Sequence, residues 1–293
     1  MHLDANGPEQ VEQLRSIITA HRPDKVTADL NLPAERDVLM AIARSGLWPA
    51  AVHPSLIIGR DEEAKRIRAA TVLADFVRLL PGKRFLDYGC GEGHMAVEAT
   101  RRGCTALGYD PTPQAWDRLP AGQINLTDEL KIVQDTGPYD IALCYDVLDH
   151  AGDQQVEILK NIRRTMKPSG YIYLRCHPYT SIHGTHLYTS LNLAYIHLLL
   201  KPEDITELGG KPEQVTKVVK PLNTYQGWIK QAGLTVNREI IRRVEPPRMF
   251  HDLAIVGKII TELYGTDDPY IKDVEKLHSI LSMEFVDYDL SVA

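Results

Sequence analysis

The segment FLDYGCGEG, Phe85 to Gly93, constrains the fold of this 293-residue chain more than any other. A short apolar run ends at an acid, and three glycines follow at alternate positions just before helical spacing begins. Glycines at such a strand-to-helix turn let a ligand approach the backbone closely, and in open α/β sheets ligands bind outside the carboxyl ends of the strands. The spacing also narrows the ligand. A dinucleotide loop is GxGxxG, which from Gly89 and Gly91 requires glycine at position 94; that residue is His94, and the third glycine is Gly93. Asp87, two residues before Gly89, repels a pyrophosphate and welcomes an ammonium or hydroxyl group. The loop favours a cationic nucleoside-amino-acid ligand over a nicotinamide dinucleotide.

Around the loop, short apolar runs alternate with helical periods. Strands are expected at Phe85–Tyr88, Thr105–Tyr109, Gln123–Leu126, Ile141–Cys144 and Tyr171–Cys176, with helices at Met95–Arg102, 112–119 and Gln154–Met166 between them. Such alternation implies right-handed crossovers and a parallel sheet covered on both faces. Two further β runs, Leu234–Arg243 and Leu253–Ile260, are separated by Pro246-Pro247 and suggest an antiparallel hairpin at one edge. The fold expected is α/β: a doubly wound, mostly parallel seven-stranded sheet with an antiparallel terminal hairpin, plus a helical N-terminal extension. The boundaries expected are 1–58 for the extension, 59–262 for the sheet domain with a His-rich insert at 176–222, and 263–293 for a helical tail, with a helix at 270–283.

A second carboxylate, Asp110, ends the second strand, where it can accept hydrogen bonds from both hydroxyls of a ribose. A helix N-cap before Pro111-Thr112 is compatible with that role. The net charge of −6 excludes a global basic field for nucleic acid or an anionic membrane. Arg238, Arg242, Arg243 and Arg248 form only a local basic group, best taken as a solvated face. The four cysteines are widely spaced without a CxxC pair, and no apolar stretch approaches the ~20 residues of a bilayer span. A cytoplasmic, soluble protein is expected.

With these residues in place, the chain resembles the class I S-adenosylmethionine-dependent methyltransferases over roughly residues 60 to 260. Phe85–Gly93 matches the family's acid-x-Gly-x-Gly-x-Gly motif, and Asp110 its acidic second motif. YDIALCYDVLDHAGD, Tyr139–Asp153, resembles the fourth-strand motif of quinone and other small-molecule methyltransferases, and MKPSGYIYL the turn before the fifth strand. The resemblance implies S-adenosylmethionine as cofactor, with Asp87, Gly89, Gly91 and Gly93 at its methionine part and Asp110 on its ribose. It further places Asn125 and Leu126, at the end of the third strand, beside the adenine, with Asp128 as the alternative for the adenine amine. Tyr145 and Asp146 are to close the methionine end. The Asp-Pro-Pro-Tyr cassette of amino-methylating DNA enzymes is missing, which disfavours adenine or cytosine amino methylation; a small-molecule acceptor is favoured, on oxygen or nitrogen, with nucleic acid staying open as the alternative. The alternative is a regulatory module that keeps the cofactor loop without catalysing transfer.

The His-rich segment Arg175–Leu200 follows the fifth strand at the same carboxyl edge, with an apolar helix expected from His186 to Leu200. Three readings of its histidines stay open. His177 and His183 are the candidate catalytic bases, since imidazole titrates near neutral pH. Metal binding by His177, His183 and His186 matches no zinc spacing, so no metal is expected. In the third reading the histidines satisfy buried carbonyls.

Overall fold

The computed structural model describes residues 8–21, 34–51, 61–75, 81–113, 116–118, 125–184, 186–212, 221–265 and 269–292. The chain divides into two compact units, one comprising Pro54–His177, Lys220–Arg242 and Phe285–Ala293, the other Met1–His53, Pro178–Val219 and Arg243–Glu284.

The first of these is built on a seven-stranded sheet. Its strands are β1 (Arg84–Tyr88), β2 (Thr105–Tyr109), β3 (Asn125–Thr127), β4 (Tyr139–Tyr145), β5 (Met166–Cys176), β6 (Leu234–Arg243) and β7 (Met283–Val292), in the order β3-β2-β1-β4-β5-β7-β6. β1 pairs in parallel with β2 and β4, β2 with β3, and β4 with β5, while β7 runs antiparallel to β5. Parallel strands covered on both faces become continuous apolar runs, and Phe85, Leu86, Ile141, Ala142, Leu143 and Cys144 are accordingly all buried. One face packs on the helix His94–Arg101 through Ala96 and Ala99 and on Leu73 of the helix Glu62–Asp75. The reversal of strand order between β1 and β4 puts the switch point, and hence the expected ligand crevice, at the carboxyl ends of these two strands.

The second unit is helical and draws on three separate stretches of chain. Leu39, Ile42 and Trp48 share one apolar core with Ile196, Leu199, Phe250, Ile260 and Leu281. Its polar groups are tied across the same segments: Trp48 Nε1 donates to Ala194 O at 2.8 Å, Tyr195 Oη to Leu281 O at 2.6 Å, and Arg36 Nε to Asp204 Oδ1 at 2.7 Å. The described residues of the stretches 8–51, 178–212 and 243–284 thus fold as one body. Burying side chains of this size contributes about 1.5–3 kcal/mol each, which short helices need because isolated ones are marginal.

Several local expectations are corrected. Leu253–Ile260 is not a strand but part of the helix Leu253–Tyr264. Its Val256, Ile259 and Ile260 are buried at helical spacing, Asp252 Oδ1 accepts from Ile255 N at 3.3 Å at its start, and Gly265 (φ 55°) ends it. The antiparallel strand beside the parallel ones is instead β7, which lies in the stretch expected to be a helical tail. The expected 270–283 helix is present only as Pro269–Lys272 and Val274–Leu281. No continuous helix spans His186–Leu200: positive φ at His186 (59°) and Tyr195 (55°) breaks it, leaving the short turns Leu187–Thr189 and Ile196–Leu199. The expected helix 112–119 is represented by a turn at Trp116–Arg118; residues 114–115 and 119 lie outside the described ones, as do 123–124 of the expected third strand. The basic group is partly spent internally: Arg242 Nε donates to Asp287 Oδ2 at 3.2 Å, and Arg243 Nη1 to Ser279 O at 2.6 Å.

Candidate active site

After β1 the chain turns through three glycines with φ of 79° (Gly89), 51° (Gly91) and 84° (Gly93), a region that side chains rarely adopt. The turn is fixed from β2, where Tyr109 O accepts from Gly89 N at 2.7 Å and Cys90 N at 2.9 Å. A Cβ on Gly89 would meet Val147 Cγ2 at 2.4 Å, so the turn after β4 presses directly on the glycine loop. A Cβ on Gly91 would meet no heavy atom within 4 Å: here the loop leaves open space.

Asp110 follows β2 and holds this geometry. Its Oδ2 accepts from Gly91 N at 2.8 Å and its Oδ1 from Thr112 N at 2.9 Å. Trp116 donates Nε1 to Gly91 O at 2.6 Å. Asp87, at the penultimate position of β1, is buried, and its Oδ2 has no hydrogen-bond partner among the described residues. Burial pushes this carboxyl up to about 7, with the Ala96 N–H opposing and Asp110 reinforcing the shift. A buried carboxylate oxygen left unpaired beside an open glycine cradle is what a cationic ligand with a nucleoside part requires, so the residues present fit S-adenosylmethionine.

The third strand departs from expectation. Register pairs Leu107 with Asn125 and Tyr109 with Thr127, so Asn125 opens β3 rather than ending it and stands two residues short of the carboxyl edge. Asp128 follows the strand directly and is exposed at that edge. Leu126 lies beside the glycine loop: its Cδ2 would lie 2.5 Å from a Cβ on Gly108, with Cys90 Sγ at 3.1 Å from the same point.

Tyr145 ends β4 and Asp146 follows it with φ 55°, a strained conformation for a residue with a side chain. Asp146 Oδ1 lies 3.0 Å from His177 Nε2, and its Oδ2 accepts from Arg68 Nη2 at 3.2 Å. Burial raises the Asp146 carboxyl, but His177, Arg175 and Arg68 together hold it well below the usual carboxylate range. For His177 burial acts downward, and the Asp146 charge and hydrogen bond with the Asp149 charge outweigh it, so its imidazole is more basic than usual. The ring lies edge-on to Phe285 at 4.7 Å, and Tyr225 Oη donates to the His177 carbonyl at 3.0 Å. Arg68 and Tyr225 carried no signal in the sequence, because each reaches the site only through tertiary packing.

His183 belongs to the helical unit, where it is buried with Nδ1 3.4 Å from Gly184 O and its ring edge-on to Tyr188 at 5.8 Å. His197 follows the carbonyl-satisfying reading: Nε2 stands 2.9 Å from Tyr179 O, and burial lowers its pKa to about 4. In the sheet unit, Glu62, Glu92 and His94 bring possible metal-ligand atoms within 4.8 Å of one another, but Lys65 Nζ stands 2.5 Å from Glu92 and 2.8 Å from Glu62 and supplies the cation. No described helix is long and apolar enough to cross a membrane.

Residues 61–237 match the family model described as a methyltransferase domain. Among curated proteins the chain is similar to the ubiquinone biosynthesis O-methyltransferase of Acinetobacter baumannii (strain AYE), 34% identical over 104 residues, 32% of this chain and 44% of the relative. The enzyme of the same description from Escherichia coli O9:H4 (strain HS) is 25% identical over 169 residues, 52% of this chain and 62% of that one. The chain thus spans less than two thirds of the length of these relatives. Among solved structures, a SAM-dependent methyltransferase from Archaeoglobus fulgidus aligns with TM-score 0.48 and 15% identity over 78% of this chain and 94% of its own. The match across more than half of the chain, on the acid-x-Gly-x-Gly-x-Gly loop just described, makes it a member of this methyltransferase-domain family.

Proposed function

We propose that this methyltransferase acts on a hydroxyl oxygen of a small-molecule acceptor, without a metal, and that His177 is its general base. The observation that carries the proposal is the His177–Asp146 pair at 3.0 Å, at the carboxyl ends of β4 and β5. When bound, S-adenosylmethionine supplies a methyl group already activated by the sulfonium. What remains for the chain is to hold the ligand, aim the acceptor and remove its proton, which is catalysis mainly by proximity and orientation.

In this reading Asp110 takes the ribose hydroxyls, the backbone of Gly89, Gly91 and Gly93 meets the methionine part, Asp87 offers its unpaired oxygen to a cationic or hydroxyl group, and Tyr145 lines the methionine end. Leu126 flanks the adenine, and Asp128 replaces Asn125 as the acid toward the adenine amine because Asp128 occupies the strand's carboxyl end. Asp146, its Oδ1 3.0 Å from Nε2, orients the ring, and the imidazole of His177 takes the acceptor's proton. The Asp146 carboxylate then stabilises the imidazolium. His183 is the second candidate, to be compared with His177 in the same assays. The description of the relatives as O-methyltransferases supports oxygen over nitrogen.

Incubation with phenols, catechols and amines, with products identified by mass spectrometry in the presence of EDTA, tests the reading. O-methyl products insensitive to the chelator support it. Exclusive N-methylation, or loss of activity restored by one divalent ion, overturns it.

A further inference from the structure

Three residues of the sheet unit form a row across adjacent strands. Register sets Tyr145 of β4 opposite Arg175 of β5, and Arg175 opposite Asp287 of β7. Residues directly opposite on neighbouring strands share a face, so their side chains meet. Arg175 donates Nε to Asp287 Oδ1 at 2.6 Å and Nη2 to Asp287 Oδ2 at 2.9 Å, a bidentate pair of buried groups. Its remaining nitrogen, Nη1, donates to Tyr145 Oη, and the guanidinium lies 4.6 Å from the Tyr145 ring and 4.7 Å from that of Phe285.

This clamp decides what the phenol can do. A hydroxyl that accepts from Arg175 directs its own proton elsewhere, and no described residue accepts it. Burial keeps that proton on the oxygen, pushing the phenol up to about 12 although Arg175 pulls the other way. The turn after Tyr145 is the one whose Val147 presses on Gly89, so the hydroxyl belongs to the end of the sheet that carries the cofactor loop. Arg68 adds a second guanidinium, 5.6 Å from the same ring. The nearby acid Asp146 is matched by Arg68 and His177, and Asp287 by Arg175 and Arg242. A fixed O–H donor flanked by two guanidiniums suits an anionic oxygen.

We propose that Arg175, clamped by Asp287, is a positioning residue that makes the Tyr145 hydroxyl a fixed hydrogen-bond donor to the carboxylate of the cofactor's methionine part. The ligand oxygen contacts Tyr145, and Arg175 and Asp287 act through it.

Titration calorimetry of the full chain with two probes tests this: S-adenosylhomocysteine, which carries the carboxylate, and 5′-methylthioadenosine, which lacks the amino-acid end. Tyr145→Phe keeps the ring and should weaken S-adenosylhomocysteine binding about 5- to 30-fold while 5′-methylthioadenosine stays within about twofold. Asp287→Asn should give a loss selective for the same probe. The double variant should lose no more than Tyr145→Phe alone, because both changes act through one hydroxyl. Unchanged S-adenosylhomocysteine affinity in Tyr145→Phe overturns the proposal, as does an equal loss for both probes. Additive losses overturn the positioning role of Asp287. Should Asp287→Asn fail to fold, the isosteric Tyr145→Phe decides, and Arg175→Lys, which keeps the charge but not the fork, takes the place of Asp287→Asn in the cycle.

Discussion

His177 Nε2 and Asp146 Oδ1 stand 3.0 Å apart, joining the first residue after β5 to the first residue after β4. The pair couples stability and catalysis with opposite dependence on pH. The Asp146 carboxyl is depressed in the fold, so its contribution is present above its unfolded pKa, about 3.9, and lost as pH falls through the folded value. The His177 pKa is raised, so its contribution is full below about 6.5 and lost as pH rises through the folded value. A general base must be neutral, so turnover rises as pH passes through the raised His177 value, where the ion pair fades. Asp146→Asn should lower the His177 pKa, measured by NMR titration, and move the rising limb of the pH-rate profile to lower pH. Turnover on its high-pH plateau should fall about 10- to 100-fold as the imidazolium loses its stabilising charge. The destabilisation by Asp146→Asn should be larger at pH 6 than at pH 9; an unshifted limb would remove His177 as the base.

Asp110 has a double task. Both carboxylate oxygens already accept backbone N–H groups, from Gly91 and Thr112, so the residue shapes the loop as well as facing the ribose. Asp110→Ala should weaken cofactor binding by about 1.5–3 kcal/mol, the scale of a lost charge-assisted hydrogen bond. Asp110→Asn keeps the shape but donates from one of the two positions, and should recover only part of that loss. Calorimetry with S-adenosylhomocysteine measures both variants, and wild-type affinity in Asp110→Ala removes the residue from the site.

Gly89 and Gly91 should respond differently to alanine although both have positive φ. At Gly89 the added Cβ meets Val147 Cγ2 at 2.4 Å, while at Gly91 it meets nothing within 4 Å. Gly89→Ala therefore combines backbone strain with a clash and should destabilise the fold by about 2–4 kcal/mol. Gly91→Ala should destabilise by only about 1–2 kcal/mol, the backbone term alone, yet weaken S-adenosylhomocysteine binding because its methyl enters the open cradle. Val147→Ala should relieve part of the Gly89→Ala penalty in thermal melts. Equal destabilisation by the two glycine variants would refute the contact argument.

The parallel half of the sheet was legible because its strands carry short apolar runs, such as Phe85–Leu86 and Ile141–Cys144, and helices follow β1, β3 and β4. The run Leu253–Ile260 misled because Ile and Val favour strands, and the pattern of Val256, Ile259 and Ile260 was outweighed by that composition. β7 did carry a signal: Val286, Tyr288 and Leu290 alternate with Asp287 and Asp289 and are all buried. The buried acid Asp287 hid it, since its partner Arg175 lies 112 positions away and is found only through the β5–β7 register. At the site, the glycine loop and Asp110 are local motifs and were visible. The Asp146–His177 pair spans two strand ends and depends on the β4–β5 register, so the sequence offered both residues as candidates in separate roles without joining them.

Asp87 should trade stability for ligand affinity. Its folded pKa of about 7 lies above the ordinary 3.8, so the fold disfavours the ionised form. The linkage sign is opposite to that of Asp146: no penalty exists below about pH 4, it grows as pH rises toward 7, and it is complete above that. Asp87→Asn removes the charge while keeping size and one acceptor oxygen, so it should raise the melting temperature of the ligand-free chain at pH 8 by about 2–6 °C and leave it nearly unchanged at pH 4. The same variant should bind S-adenosylhomocysteine about tenfold or more weakly, because the unpaired carboxylate oxygen is the group offered to the ligand. Melting curves across pH, with calorimetry in parallel, measure both effects. A stabilisation independent of pH would show that ionisation of Asp87 is not its origin, and unchanged affinity would take Asp87 out of the cofactor site.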